Sequence, residues 1–145
     1  MQNTLIICIG NRDGGDDGIG PYIADQMKKT SQDILDCGTT PENYTGVIKQ
    51  KQPKTLIIID AAEMNLTEGE IRIIPKEKIS TMHISTHGIP LSLLITYLEK
   101  KDRKIILIGI QPKHMSGPIS SIVKKSADQL IEILKTQQYE KIPRL

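Results

Sequence analysis

Apolar residues along this chain follow two rhythms. Nearly unbroken runs at 4–9 (TLIICI), 55–60 (TLIIID) and 104–110 (KIILIGI) read as strands covered on both faces, as in the interior of a parallel sheet. Shorter runs at 33–37 (DILDC) and 70–74 (EIRII) predict two further strands. Between them the period lengthens to that of a helix. Ile19, Ile23 and Met27 fall on one face, with Pro21 placed to open the helix. Thr40 can cap and Pro41 start a short helix that stops before Pro53. Leu91, Leu94, Ile95 and Leu98 form a stripe over 90–101, and Val123, Ala127, Leu130 and Leu134 form another in a helix starting near Ser120. Strands and helices in alternation predict a three-layer α/β/α sandwich around a mostly parallel five-stranded sheet. Residues 1–145 are expected to form one domain, since the length suits one core and not two.

Composition narrows the chemistry. Nineteen basic against seventeen acidic residues leave a net charge of +2, too balanced to argue for a nucleic-acid or membrane partner. Phe and Trp are absent and Tyr occurs four times, which removes the stacking platforms of single-strand binders. No apolar run approaches the ~20 residues of a membrane span, and no secretory leader is expected. With two cysteines and no disulfide-scaffold spacing, a cytoplasmic, reducing location is the expectation. Cys8, in a buried strand, reads as a small core residue. Cys37 has no histidine beside it in sequence to make it a nucleophile.

Ligands of open α/β sheets bind beyond the carboxyl ends of the strands. The segments that follow the strands are GNRDGGDDGIG (10–20), CGTTPEN (37–43), DAAEMN (60–65) and QPKHMSGP (111–118), while STHGIP (85–90) precedes the third helix. On this reading Asp17, Asp36, Asp60 and His87 can converge at one edge. The first segment is glycine-rich, yet it lacks the lysine of a P-loop and carries Asp16 and Asp17 where a phosphate would be repelled. A nucleotide-binding module is therefore disfavoured. Acids in one loop, an acid closing a buried strand and a histidine at a helix start describe a cation site, with donors that suit nickel or zinc.

Each residue has a plainer reading. Asp16 or Asp17 can stabilise a helix N-terminus by ~0.3–1 kcal/mol. Asp60 can be a strand-end cap, Asp36 a turn residue and His87 a hydrogen-bonder at a helix entry. His83 has weaker context, and His114 reads as loop surface.

Taken in order, GNRDGGDDGIG, DCGTTPEN, LIIIDAAEMNLTEGEIRII, STHGIPL and LIGIQP resemble the hydrogenase maturation endopeptidases over most of the chain. Those enzymes remove a C-terminal peptide from the large-subunit precursor of nickel–iron hydrogenases. The resemblance implies an endopeptidase, of aspartyl type, whose metal-recognising positions are Asp17, Asp60 and His87. The family's acid after the second strand matches Asp36, implying a catalytic base. Nickel would then be substrate-borne, already inserted in the precursor, and not a resident cofactor. A non-catalytic, metal-sensing checkpoint that binds the precursor without cutting it is the alternative. Cys37-Gly38-Thr39 and Asn65 depart from the family's usual residues at these places.

Overall fold

The computed structural model describes residues 3–79, 83–84 and 90–145. Five main strands form the sheet: β1 (Thr4–Cys8), β2 (Asp33–Asp36), β3 (Thr55–Glu63), β4 (Ile71–Ile74) and β6 (Lys104–Ile110). A two-residue strand, β5 (His83–Ile84), pairs antiparallel with the end of β3. The order across the sheet is β2-β1-β3-β6-β4. β1, β2, β3 and β6 run parallel, and β4 closes one side antiparallel to β6. The expected mostly parallel sheet is therefore present.

The helices are α1 (Ile19–Met27), α2 (Thr45–Lys51), α3 (Lys76–Ile79), α4 (Leu91–Leu98) and α5 (Ser121–Thr136). Alternate residues of the central strands serve opposite faces. Ile57, Ile59, Ile106 and Ile108 meet α1 and α5 through Ile19, Ile23, Met27, Val123, Ala127, Leu130 and Leu134. Leu56, Ile58 and Leu107 meet α2, α3 and α4 through Ile48, Ile79, Leu91, Leu94, Ile95 and Leu98. Every residue of the three predicted helix stripes is buried.

Boundaries differ where local preference gave way to a tertiary partner. A single 3-10 turn, Gly15–Gly18, precedes α1, so Pro21 is the third helical residue and not the first. It still lies in the first turn, where an N–H would have no helical acceptor. The predicted helix after Thr40 opens as a 3-10 turn, Pro41–Tyr44, and Thr40 gives no side-chain cap. β3 does not stop at Asp60 but runs on to Glu63, because β6 continues to pair with it through Ala61↔Ile110. Residues 143–145 lie along the outer side of β4: Ile73 N–H donates to the Pro143 carbonyl and Leu145 N–H to the Ile73 carbonyl, both at 2.9 Å.

Candidate functional site

The chain leaves β1 to form β2 on one side and, through α2, β3 on the other. The gap between the ends of β1 and β3 is thus the topological switch point, where open α/β sheets hold their ligands. The turn after β1 carries Asp17, and Asp60 lies in β3 one residue beyond Ile59, the partner of Cys8. β1's other neighbour brings Asp36 opposite Cys8. The three acids expected at this edge are therefore carried by β2, by β3 and by the turn that follows β1 between them. His87 lies outside the described residues, and among those described no three His, Cys, Asp or Glu side chains form a metal-holding group.

Asp60 is completely buried. By strand alternation it shares the face of Leu56, Ile58 and Ala62, the face covered by α4. A carboxylate has no packing reason to occupy such a position, since burying its charge is costly. Asp17 is 3% exposed, and its Oδ2 accepts the Asn11 N–H at 3.2 Å. Gly10 makes this turn possible: a Cβ there would lie 1.9 Å from the Asp17 carbonyl oxygen. Gly10, Gly15 and Gly20 of the segment thus serve close backbone packing, a role that needs no phosphate.

Asp16 and Asp17, alike in sequence, part company in the fold. Asp16 is fully buried and accepts four bonds from the loop between β6 and α5. Its Oδ2 takes the Lys113 N–H at 2.7 Å, the His114 N–H at 3.1 Å and the Ser120 hydroxyl at 2.9 Å. Its Oδ1 takes the Ser120 N–H at 2.7 Å. Burial, the strongest single influence, pushes this carboxyl up, but the donors of Ser120, Lys113 and His114 together bring it below its ordinary value. Ser120, placed to cap α5, spends its hydroxyl on Asp16 and makes no cap bond.

At the end of β2, Asp36 is partly exposed. Its Oδ2 accepts from Arg12 Nη2 at 2.6 Å and its Oδ1 from the Gly38 N–H at 3.0 Å. Arg12 also grips Asp25 of α1 with both terminal nitrogens, at 2.7 and 2.9 Å. The bonds to Asp25 and then Asp36 drive the guanidinium further toward its charged form, and Arg12 in turn holds Asp25 below the ordinary carboxylate range. A carboxylate has about four acceptor positions, so these two bonds leave Asp36 room to take a proton from water.

The cysteines are poor nucleophiles. Burial first, then Cys37 and the neighbouring acids, raise Cys8 well above the usual thiol value, while burial and Asp36 push Cys37 up to about 12. Thiolate is the reactive form, so the sequence reading that set Cys37 aside agrees with its surroundings. His114 is exposed, with Nε2 3.0 Å from the Pro118 carbonyl, as a loop residue should be.

Two contributors were not anticipated. Arg12 has no local signal beyond being the one basic residue of the turn after β1. Gln111, 3% exposed, accepts from the Met64 and Leu66 N–H groups at 2.7 and 3.2 Å and donates to Glu63 at 2.9 Å. It fixes the segment that leaves β3. A glutamine directly after a seven-residue buried strand was the available signal. Within that segment Asn65 has φ +59°, a left-handed conformation that asparagine tolerates.

A profile of the hydrogenase maturation proteases matches residues 21–137. The hydrogenase 3 maturation protease of Escherichia coli K12 is 39% identical over 140 residues, covering 92% of this chain and 90% of its own length. A crystal structure of a hydrogenase 3 maturation protease superposes with a TM-score of 0.89 at 32% identity, covering 99% of this chain and 97% of that one. A NiFe hydrogenase maturation protease from Thermococcus kodakarensis gives a TM-score of 0.82 at 31% identity, with 93% and 91% covered. With its buried acids set at the switch point of this fold, the chain belongs to the hydrogenase maturation protease family and is a peptidase.

Proposed function

We propose that this peptidase removes the C-terminal peptide of a nickel–iron hydrogenase large-subunit precursor, and that it reads nickel carried by that precursor through Asp17, Asp60 and His87. The observation that carries the reading is Asp60: a fully buried carboxylate on a core-facing strand position, beside the turn that bears Asp17. Two ionised acids and a neutral imidazole suit a divalent ion that keeps the substrate's own ligands.

In this reading contact with the substrate's metal sets the scissile peptide in register, and positioning of that kind lowers barriers substantially. Asp36 takes a proton from the attacking water as the water oxygen adds to the peptide carbonyl, and passes that proton to the departing amine as the C–N bond breaks. Arg12 keeps the base at the end of β2. Among the described residues no helix is long and apolar enough to cross a membrane. We place the enzyme in the cytoplasm, where its two free, buried cysteines stay reduced.

The test is mass spectrometry of a large-subunit precursor incubated with the protein, with and without prior nickel loading. Loss of one C-terminal peptide from the loaded form alone supports the reading. Cleavage of both forms at equal rate removes the metal checkpoint, and an intact precursor in both tubes removes the peptidase assignment for that substrate. Asp36→Asn should abolish cleavage while nickel-dependent binding persists. Loss of both would take the base role away from Asp36.

A further inference from the structure

The adjacent acids of the first turn have different surroundings, Asp16 being held by the loop between β6 and α5 and Asp17 by the Asn11 N–H of its own turn. We propose that Asp16 is a positioning residue: its carboxylate ties the turn bearing Asp17 to the loop between β6 and α5, so that the loop is a fixed wall of the site and Asp17 is aimed through it. This rests on the functional reading above for the role of Asp17.

The joint is made from both sides. The Asp16 side chain holds the backbone of Lys113, His114 and Ser120, while the Asp16 N–H donates to the His114 carbonyl at 2.9 Å. Next to it, Gly15 has φ +62°, and a Cβ there would lie 2.5 Å from the Ser116 nitrogen. The turn and the loop are thus in backbone contact over several residues, although they are about a hundred positions apart in sequence.

The turn relays this hold directly to its neighbour. Asp17 N–H donates to the Gly14 carbonyl at 3.1 Å, and Asn11 N–H to the Asp17 carboxylate at 3.2 Å. A shift of Gly15–Asp16 moves both of those bonds. Asparagine cannot replace Asp16 here, because its amide would turn a donor toward the N–H and O–H groups that now meet acceptors. A buried charge is a costly way to join two loops when apolar contact would serve, but its directed bonds fix the loops in one register.

The experiment compares wild type with Asp16→Asn, Ser120→Ala and, as a control for stability alone, Val123→Ala. Amide exchange by NMR is read at Asn11 and Asp17 as well as at Lys113, His114 and Ser120. Binding preference for nickel-loaded over metal-free precursor is read on the same proteins. Asp16→Asn should accelerate exchange at Asn11 and Asp17 by about tenfold or more relative to the control and collapse the nickel preference, with Ser120→Ala intermediate. Unchanged exchange at Asn11 and Asp17 overturns the proposal, as does an equal loss of preference in Val123→Ala. Should Asp16→Asn fail to fold, Ser120→Ala carries the same two readings. If wild type itself shows no nickel preference, the functional reading fails, and the exchange data alone decide the joint.

Discussion

The two edges of this sheet hold their charges in opposite ways. At the carboxyl edge Asp16, Asp17 and Asp60 are buried, each at 3% exposure or less. At the other edge the helices end, and lysines crowd the surface. α2 closes with Lys49 and Lys51 and α5 with Lys135, each followed by a left-handed glutamine cap. Those lysines complement the negative ends of the helix dipoles for a few tenths of a kcal/mol and stay hydrated. Charges of the second kind are cheap and follow from the fold. Charges of the first kind cost desolvation, so each must answer to a structural partner or to a ligand. Asp16 answers to four donors of the loop between β6 and α5, whereas Asp17 and Asp60 are the acids to which the proposed function gives a ligand.

The largest expected effect is on activity. Asp60→Asn should lower nickel-dependent cleavage by at least about a hundredfold, comparable to losing an essential electrostatic contact, while the protein stays folded. A large fall in melting temperature with cleavage intact would reverse the assignment of Asp60 to function.

Asp16→Ala should destabilise by about 3 kcal/mol in urea titration, since buried N–H donors lose a charged acceptor. Its pH dependence has a fixed sign. The folded-state value of Asp16 lies below its ordinary one, so its contribution is complete above about pH 4, near the unfolded value. It is lost as pH falls through the folded value. The difference in stability between wild type and Asp16→Ala should therefore shrink on acidification; a constant difference would deny the carboxylate this role.

Smaller effects follow. At Asn65, valine should cost about 1 kcal/mol because β-branched residues resist the left-handed region, whereas glycine should lie within about 0.5 kcal/mol of wild type. Thermal unfolding of the two variants distinguishes a conformational role from a contact role. Smallest of all, the exposed Lys51–Asp33 pair at 3.2 Å should contribute no more than about 0.5 kcal/mol and vanish in high salt. A double-mutant cycle that finds more would erase the distinction between the two edges.

Much of the architecture was legible because β1, β3 and β6 are buried on both faces and so spell continuous apolar runs. The stripe of α5 was legible for a similar reason, as one face of a long helix packs on a flat sheet. Boundaries were less so: Ser120 reads as a cap, yet its hydroxyl goes to Asp16, a partner 104 positions away. The same distance hid the difference between Asp16 and Asp17. Two adjacent carboxylates have identical local propensities, and only the loop between β6 and α5 assigns one to structure. Gln111 stood out by its place after a buried strand, but its part as a brace did not, because an amide's value lies in which backbone groups it meets. Asp36 was legible as a polar strand end, whereas its clamp by Arg12 required α1 to bring Asp25 alongside.

The short run along β4 has a consequence for how the molecule behaves in a crowded solution. β4 is the last strand on its side of the sheet, and such a strand offers open N–H and C=O groups to any neighbouring chain. Here Pro143 and Leu145 take up both outward groups of Ile73. These residues therefore act as an edge guard. A chain cut before Pro143 would keep its fold and its acidic site but present a bare strand, and its failure would show as self-association at high concentration before any loss of enzyme chemistry.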